Sequence, residues 1–428
     1  MSTSDAYWDI VWRQLKKNRL AYAALWVLLP LFLVALFAPA LASNQPVVYL
    51  DGGEMLLPWL RALFNPEEVV DFAFNMALVG FFPWLLLATG LNWWWKRREV
   101  PGRRRAAYAV ALYAAITALL IAVFSLPDFG AQAGQAQGAK RTFLFRPDNS
   151  YYARTFVEEQ MHAPETTRGL YVLLPFAPTQ QDLGAVFQPP MFRKPEDKRE
   201  YVNDGFPHLL GTDDSGRDIL VRMIYGTRVS LTVGFVAVGI YMAIGVVLGA
   251  VAGYFGGLAD MTISRVIEVV LLFPSFFLIL TLVGLIGPSI YIIMVVIGLT
   301  GWPMIARLLR GEVLKQREID YVAAARALGS SNTRIIFRHI LPNAIAPALV
   351  AVPFGVADAI ITEASLSLLG FGVQPPAPSW GNILDLGHGN YVYWWLILVP
   401  SVAIFLTVTV FNLVGNGLRD AMDPRLRM

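Results

Sequence analysis

The chain has 428 residues, of which 56% are hydrophobic and 15% are charged. This composition excludes an ordinary soluble domain, which has fewer apolar and more charged residues, and it indicates an all-α polytopic membrane protein. The formal charge of +3 is small, and no motif for reading nucleic acid occurs, so the basic residues favour contact with anionic lipid. The absence of cysteine excludes disulfides, thiolate metal sites and cysteine nucleophiles.

Eight apolar segments are long enough to cross the ~30 Å hydrocarbon core of a bilayer as helices. The first ends at Ala40-Leu41-Ala42, a sequence similar to a signal-peptidase site. Its apolar run exceeds the roughly 7–15 residues of a signal peptide, so we expect an uncleaved span. The predicted spans lie near residues 20–42, 72–95, 106–126, 229–253, 264–286, 289–309, 344–369 and 393–416.

Basic residues crowd the short link between the second and third predicted spans. Short basic loops stay in the cytoplasm, so we expect this link on the cytoplasmic side together with the N-terminus. The order of the spans then places residues 127–228 outside, and both the link after Leu308 and the C-terminus inside. The basic residues of the link are Lys96, Arg97, Arg98, Arg103, Arg104 and Arg105.

Four regions follow from this order. Residues 1–71 contain the N-terminal tail, the first span and an outer loop; residues 72–126 form a transmembrane hairpin; residues 127–228 form a loop-rich extracytoplasmic segment; residues 229–428 contain the remaining spans. Within the third region, the low-complexity stretch at 130–140 predicts a flexible linker.

The exterior segment ends with an acidic cluster, GTDDSGRD from Gly211 to Asp218. Its spacing does not match a calcium loop, which needs alternate ligands and a distant glutamate. We expect Asp213 or Asp214 to cap a helix that begins near Ser215, with Arg217 pairing locally.

Small residues and prolines mark the predicted spans. Glycine at every fourth position places one small side chain per turn on a single helical face, which predicts close helix packing, either inside this chain or across a dimer of subunits. Proline inside a span removes a backbone hydrogen bond and can kink the helix, in a moving pathway or in a static bundle. The glycines are Gly245, Gly249, Gly253 and Gly257, and the prolines are Pro274, Pro303, Pro353 and Pro400.

Three acidic residues fall inside predicted spans: Glu268, Asp358 and Glu363. Asp358 and Glu363 are five residues apart and so do not share a helical stripe, and no cationic neighbour completes a proton relay. We expect Glu363 to lie near the outer end of its span, where its carboxylate can reach the interface or contact a subunit.

A polar cytoplasmic segment, residues 321–342, predicts two short helices joined by a glycine turn, and we call it the elbow. Ala323 to Leu328 form helix readily, and Gly329 stands where helices end in a left-handed residue. Ser330, Ser331 and Asn332 can cap a second helix from Thr333 to Ile340, with an apolar stripe of Ile336, Phe337 and Ile340. Pro342 is expected to break the chain before the next span. Such an amphipathic elbow between two spans suits a partner's groove, although an ordinary interfacial helix is the alternative.

The elbow sequence AAARALG followed by RHILPN resembles the coupling motif of ABC importer permeases. GYFGG from Gly253, EASLSLLGFGVQPPAPSWGN from Glu363 and GLRDAMDPRLR from Gly417 resemble the C-type subunit of dipeptide and oligopeptide importers. The resemblance implies a type I permease fold with six core spans plus an inserted hairpin, and a membrane-surface helix after the acidic cluster. It also implies a second permease, two ATPase subunits and an extracytoplasmic binding protein as partners. The residues that it assigns to ATPase coupling are Ala323, Ala324, Ala325, Gly329, Arg334, Ile340, Leu341 and Pro342.

Two features depart from that family. Ala323 replaces the usual first glutamate of the motif, so any ion pair made by that glutamate must come from elsewhere, such as Glu318 or Asp320. The hairpin at 72–126 is additional, and either a lipid-facing accessory pair or a site for an extra subunit would explain it.

Catalytic motifs are absent from the sequence. The four histidines form no pair at metal-ligand spacing, and no GxxxxGK[ST], GxSxG or HExxH occurs. We therefore expect no cofactor, no metal and no ATP hydrolysis by this chain itself. An ion-driven secondary transporter and a membrane enzyme acting on lipid or peptidoglycan remain as alternatives, but neither explains the elbow. The sequence assigns no residue to substrate contact.

Overall fold

The protein is all-helical apart from three short strands among the described residues. The structure, a computed structural model, describes residues 3–51, 54–64, 69–98, 100–124, 168–199, 205–389 and 391–422. The expected linker at 130–140 lies outside these ranges. Seven described helices are long and apolar enough to cross a membrane, and a bent pair of shorter helices makes eight if the pair is one span.

The elements follow in chain order. The first part contains α1 (Thr3–Lys17), α2 (Arg19–Leu36), α3 (Ala38–Leu41), β1 (Val48–Asp51), β2 (Glu54–Leu56), α4 (Pro58–Phe64), α5 (Val69–Arg97), α6 (Gly102–Phe124) and β3 (Arg168–Leu170). The second part contains α7 (Ile219–Phe255), α8 (Gly257–Leu272), α9 (Ser275–Ile286), α10 (Ile290–Arg317), α11 (Asp320–Ala327), α12 (Asn332–Arg334), α13 (Leu341–Ala344), α14 (Ala346–Leu368), α15 (Trp380–His388) and α16 (Trp394–Met422). The described residues between β3 and α7 include the 3₁₀ turns Leu183–Ala185 and Glu196–Lys198, and a π-helical turn, Ile335–Ile340, joins α12 to α13.

The chain forms two compact units. The core unit comprises Met1–Leu31 with Val229–Met428, and the hairpin unit comprises Phe32–Arg228. The hairpin unit holds the sheet, in which β1 is the middle strand and pairs antiparallel with β2 on one side and β3 on the other.

Helices α5 and α6 pack against each other as an antiparallel hairpin. The Trp84 indole Nε1 donates to the carbonyl oxygen of Ala109 at 2.7 Å, and the Tyr113 hydroxyl donates to that of Ala77 at 2.8 Å. Gly80 lets the helices approach, because a β-carbon there would lie 3.3 Å from Ile116. The remaining faces of α6 are open, with Leu119 63% exposed. This open apolar surface is what a lipid-facing helix requires.

A buried arginine anchors the start of the hairpin inside its unit. The Arg228 guanidinium donates to Asp71 Oδ1 at 2.8 Å and to Asn75 Oδ1 at 3.0 Å, both on α5. Its Nε donates to the carbonyl oxygen of Ala35 at the end of α2, at 2.6 Å. Since a buried charge is tolerated only when it is paired and hydrogen-bonded, this arrangement joins α5, α2 and α7 at one point.

The core unit is built around α16, which packs against α14, α15 and the N-terminal helix α1. Val11 and Leu15 of α1 are buried in one apolar cluster with Val350 and Ala421. The Asn18 side chain, which follows α1, donates to Asp420 Oδ2 at 3.3 Å. The N-terminal helix is therefore part of the core unit.

Three glycines of α7 face α10 within the core unit. A β-carbon at Gly245 would lie 2.7 Å from the β-carbon of Ile305, and one at Gly249 would lie 2.6 Å from the Ala306 carbonyl oxygen. Gly253 faces Val313 at 2.8 Å in the same way. Gly257, which was expected on this face, is not part of it: it begins α8 with φ of +50° and has open space around its α-carbon. The chain leaves α7 after Phe255, so the four-residue period cannot continue.

Two predicted spans differ from the helices of the structure. The expected helix near Ser215 and the span at 229–253 are parts of a single helix, α7, which begins at Ile219. The span predicted at 264–286 is broken into α8 and α9, which meet at 82° around Pro274. Apolar composition identified this span but could not distinguish a straight helix from a bent pair.

Candidate functional site

The elbow turns at Gly329. Helix α11 ends at Ala327, and Gly329 adopts a φ of +75°. The Ser330 amide donates to the Ala325 carbonyl oxygen at 3.1 Å, and the Gly329 amide donates to that of Arg326 at 3.0 Å. This pair of hydrogen bonds is a Schellman motif, which requires a left-handed residue after the helix. The space around Gly329 is open, so the backbone angle alone requires glycine there.

The second limb of the elbow is longer than expected. Ser331 caps α12, since its hydroxyl accepts from the Arg334 amide at 3.4 Å. The limb then continues through the π-helical turn into α13 and leaves the helical path only at Ile345. Pro342 therefore does not end the helical limb. It lies in the first turn of α13, a position where proline is tolerated.

The inner face of the elbow is buried in the core unit. Val322, Ile335 and Ile340 are inaccessible to solvent, and Ile336 is nearly so. Phe337, which was expected in this stripe, is instead 58% exposed. The π-helical turn shifts the register of the side chains, so Ile335 takes the inward position that an α-helical period assigns to Phe337.

The outer face carries most of the residues that the motif pointed to. Leu328, beside the glycine turn, is 86% exposed. Ala325 and Leu341 are half-buried, and Ile340 is buried, so Ile340 belongs to the packing of the elbow and not to its surface. The exposed residues of the motif are Ala323, Ala324, Gly329, Arg334 and Pro342.

Polar contacts join the elbow to the adjacent ends of α7 and α10. The Tyr254 hydroxyl donates to Asn332 Oδ1 at 2.8 Å, and the Arg326 guanidinium lies 5.7 Å from the centre of the Tyr254 ring. Arg317 Nη1 donates to the Tyr254 carbonyl oxygen at 3.2 Å. Tyr321 donates from its hydroxyl to Gln316 Oε1 at 2.8 Å. These contacts connect both limbs of the elbow to the helices behind it.

Two carboxylates near the elbow are held by arginines. Asp260 at the start of α8 forms a two-point ion pair with Arg310 of α10, one contact of which is Arg310 Nη2 to Asp260 Oδ2 at 2.7 Å. Glu318 accepts from Arg317 Nε at 2.8 Å. Asp320, in the first turn of α11, is exposed one turn before Ala323.

A second polar cluster lies at the other end of α14, and the sequence did not predict it. Glu363 is fully buried, and its Oε1 accepts from the hydroxyls of Ser367 at 2.8 Å and Ser379 at 2.9 Å. Ser379 also forms a capping box with Asn382 at the start of α15. The expectation that the Glu363 carboxylate reaches the interface is therefore wrong: serine hydroxyls bind its Oε1 in the interior, and its buried Oε2 has no hydrogen-bond partner among the described residues. Ser367 and Ser379 lie four and sixteen residues after Glu363, so the local sequence pattern does not predict that both bind it.

The other two acidic residues of the predicted spans, Asp358 and Glu268, are not buried. Asp358 is exposed on α14, and Glu268 is exposed on α8, where it accepts from Arg265 at 2.6 Å. Among the residues that the structure describes, no group of three or more histidines, cysteines and carboxylates is arranged to hold a metal ion.

The acidic cluster before α7 has a structural arrangement. Asp213 is buried, and its Oδ2 accepts from Arg217 Nε at 2.7 Å and Arg222 Nη1 at 2.6 Å. Asp214 pairs with Arg217 at 2.9 Å. Neither aspartate caps a helix at Ser215; Asp218 caps α7 instead, accepting from the Val221 amide at 2.9 Å. The capping residue lies four to five positions later than expected because residues 213–217 form a turn around Asp213.

Comparison with known proteins gives two matched regions. The family described as "Binding-protein-dependent transport system inner membrane component" matches residues 245–428, which include the elbow. The family described as "N-terminal TM domain of oligopeptide transport permease C" matches residues 6–58. Residues 59–244, which include the hairpin, lie between these two regions.

Curated relatives extend the similarity. The dipeptide transport system permease protein DppC of Alkalihalophilus pseudofirmus is 44% identical over 221 residues, which are 51% of this chain and 73% of the relative. DppC of Haemophilus influenzae is 38% identical over 256 residues, which are 60% of this chain and 84% of the relative. The glutathione transport system permease protein GsiD of Pectobacterium atrosepticum is 42% identical over 221 residues, which are 51% of this chain and 73% of the relative.

A solved structure of the MetNI methionine ABC transporter in an inward-facing conformation aligns with a TM-score of 0.38 at 19% identity, over 48% of this chain and 96% of that chain. The family assignment rests on the sequence matches, which cover both the N-terminal span and the region of the elbow. The chain therefore belongs to the family of binding-protein-dependent transport system inner membrane components, as a multi-pass permease subunit of an ABC importer and not as an ion-driven secondary transporter.

Proposed function

We propose that this permease subunit forms half of a pathway for peptides and that the outer face of its elbow docks on a separate ATPase subunit. One observation carries the docking proposal: the elbow buries one face in its own unit and leaves two large apolar side chains, Leu328 and Phe337, exposed on the other. An amphipathic element of this kind fits a groove in a partner.

The docking face combines apolar, small and basic side chains. Leu328 and Phe337 supply the apolar contacts, while Ala323 and Ala324 allow close approach because they are small. Arg334 adds a positive charge at the rim. Asp320 is exposed one helical turn before Ala323, on the same side of α11. We assign to Asp320 the role of the carboxylate missing at Ala323, since Glu318 is already engaged by Arg317.

Movement of the elbow would pass to the spans through its polar contacts. Tyr254 in the last turn of α7 contacts Asn332, and Gln316 in the last turn of α10 contacts Tyr321. The buried side chains Val322 and Ile335 add an apolar connection to the same unit. A displacement of the elbow therefore reaches two long helices at once, which is what alternating access requires of a coupling element.

The solute proposal rests on the named relatives. They are described as permeases for dipeptides and glutathione, the family matched at residues 6–58 is described as part of an oligopeptide permease, and these solutes share peptide linkages. We propose peptides as the solute class, a second permease and two ATPase subunits as partners, and an extracytoplasmic binding protein as the source of much of the specificity. Both termini lie in the cytoplasm in this proposal, residues 127–228 lie outside, and ATP is hydrolysed by the partner subunits. Purifying the complex and identifying the ligand of its binding protein tests the solute class.

The docking proposal is tested by Gly329→Asp, compared with Gly311→Asp as a control. Both glycines are exposed with open space around them, but Gly311 is helical and Gly329 has a φ of +75°. We expect Gly329→Asp to lower ATP-dependent uptake about tenfold or more, the equivalent of ~1.4 kcal/mol, because the left-handed backbone resists a side chain and the charge falls on the docking face. The amount of inserted protein should be unchanged, and Gly311→Asp should transport normally. Normal uptake and coupled ATPase activity in Gly329→Asp would contradict docking.

A further inference from the structure

The link between α5 and α6 carries a concentrated positive charge. It has six basic residues between Lys96 and Arg105, and Glu99 is the single acidic residue between Gly90 and Ser125. The resulting formal surplus of five positive charges lies at one end of two long apolar helices. Lys96, Arg98 and Arg104 are exposed.

The start of α6 is unfavourable for a helix without an added anion. The first turn of a helix has free amide groups and a partial positive charge, which acidic residues usually offset. The first turn of α6 has no acidic residue and instead contains Arg103, Arg104 and Arg105. No acidic side chain lies in the described residues of the link, 96–98 and 100–105.

One donor at this end lacks an acceptor. Arg105 Nη1 donates to Asn92 Oδ1 of α5 at 3.2 Å, an exposed hydrogen bond that places the guanidinium between the two helices. Its Nη2 lies 3.5 Å from the position that a β-carbon on Gly102 would occupy, next to the start of α6. Arg105 Nε is shielded from solvent and has no hydrogen-bond acceptor among the described residues. An oxygen acceptor placed here would satisfy this group and the helix start together.

The aromatic residues around the link have the arrangement of a membrane interface. The Arg98 guanidinium lies 4.2 Å from the ring centre of Trp94, and the rings of Trp95 and Tyr108 are 5.5 Å apart. Amphipathic rings of this kind lie at the level of the lipid headgroups. Farther along the hairpin, the apolar side chains Leu86 and Val110 are 75% and 66% exposed, so they can contact the acyl chains of a lipid.

We propose that the α5–α6 link is a binding site for an anionic phospholipid, whose phosphate accepts hydrogen bonds from Arg105 and the start of α6. The rule that short cytoplasmic loops are basic explains the charge alone. It does not explain an interhelical arginine with a shielded donor beside a helix start. A phospholipid fits better than a soluble phosphate, because the polar site continues directly into exposed apolar faces of both helices.

The experiment uses the purified complex in detergent, with added phosphatidylglycerol or cardiolipin, and phosphatidylcholine as the neutral comparison. Retained lipid is measured by mass spectrometry, and the unfolding midpoint is measured by a thermal scan. The hairpin variant is Arg104→Gln with Arg105→Gln, and the control is Lys16→Gln with Lys17→Gln, which removes the same charge beside another apolar segment. We expect the hairpin variant to retain about tenfold less anionic lipid and to lose the thermal shift, whereas the control keeps both.

Three results would overturn the proposal: equal lipid retention in the two variants, equal stabilisation by phosphatidylcholine, or equal stabilisation by inorganic phosphate. If the double variant fails to insert, Arg105→Lys replaces it. That change keeps the charge but removes the guanidinium Nε, so reduced lipid retention supports the site. Unchanged retention in Arg105→Lys contradicts it, because charge without defined geometry would then be sufficient.

Discussion

The hairpin and the elbow are attached to their units in opposite ways. The hairpin is held at its start by a buried charge, Arg228, which contacts α5 and the end of α2, and also by apolar contacts such as the one between Phe37 and Phe81. The elbow is held by several partly buried hydrogen bonds, such as the one between Tyr254 and Asn332, and by a strip of buried aliphatic side chains. The hairpin attachment is centred on a fully buried charge, whereas the described elbow attachment consists of partly buried polar contacts and aliphatic packing.

The difference indicates what each region does. A single buried charge with several partners has one favourable geometry, so it suits a part that keeps its place. Half-buried hydrogen bonds each contribute little, so they can be exchanged one at a time as an element shifts. The structure therefore favours a static hairpin and a movable elbow, and three substitutions test this contrast.

The largest effect is expected for Arg228→Met. Loss of the guanidinium leaves Asp71, Asn75 and two backbone carbonyls without their donor in the interior, which should cost about 3–5 kcal/mol. The midpoint of thermal unfolding of the purified protein measures the change. Arg199→Met is the matched control in the same unit, because Arg199 pairs with the highly exposed Glu196 and should contribute less than about 1 kcal/mol. A small effect of Arg228→Met would remove the contrast between the two attachments.

A smaller effect is expected for Gly245→Val, which tests the helices behind the elbow. A β-carbon at Gly245 would lie 2.7 Å from the Ile305 β-carbon, so α7 and α10 must separate, at a cost of about 1–3 kcal/mol. Gly239→Val places the same side chain on the same helix where the space is open. The midpoint of thermal unfolding and the rate of uptake should both decrease in Gly245→Val and not in Gly239→Val. Equal behaviour of the two variants would show that α7 and α10 are not closely packed.

The smallest effect on stability is expected for Tyr254→Phe. The change removes only the hydroxyl that donates to Asn332, which should cost about 0.5–1.5 kcal/mol. Its effect on coupling should be larger than its effect on the unfolding midpoint, measured as uptake per ATP hydrolysed. A double-mutant cycle with Asn332→Ala isolates the contact, since the two changes together should then be no worse than either alone. Additive effects of the two substitutions on uptake per ATP hydrolysed would mean that this hydrogen bond does not contribute to coupling.

Local chemistry explains why the elbow was predicted well. The left-handed turn at Gly329 and the cap at Ser331 depend on residues within a few positions of each other, and both are present in the structure. The apolar spans were predicted by the same kind of local signal. Phe337 was misplaced because the prediction assumed an α-helical period, and the limb contains a π-helical turn.

Distant partners explain what was missed. Arg228 and Asp71 are 157 residues apart, so no spacing in the sequence connects them. The sequence shows Glu363 only as a carboxylate within a membrane span. Its hydrogen bond from Ser379, which lies beyond the end of the same helix, depends on the fold. The bend between α8 and α9 was missed because its two halves have the same apolar composition as one straight helix.

The bend at Pro274 also determines the sidedness of everything that follows it. Helices α8 and α9 have 16 and 12 residues, which rise about 24 Å and 18 Å, so neither alone crosses ~30 Å of hydrocarbon. If the pair crosses, the described helices α2, α5, α6, α7, the pair and α10 make an even number of passages before the elbow, and this number places the elbow on the same face as the N-terminus. If the pair turned back, that number would be odd and the elbow would face the opposite compartment. An elbow within reach of a cytoplasmic ATPase thus requires two short helices to complete one passage jointly.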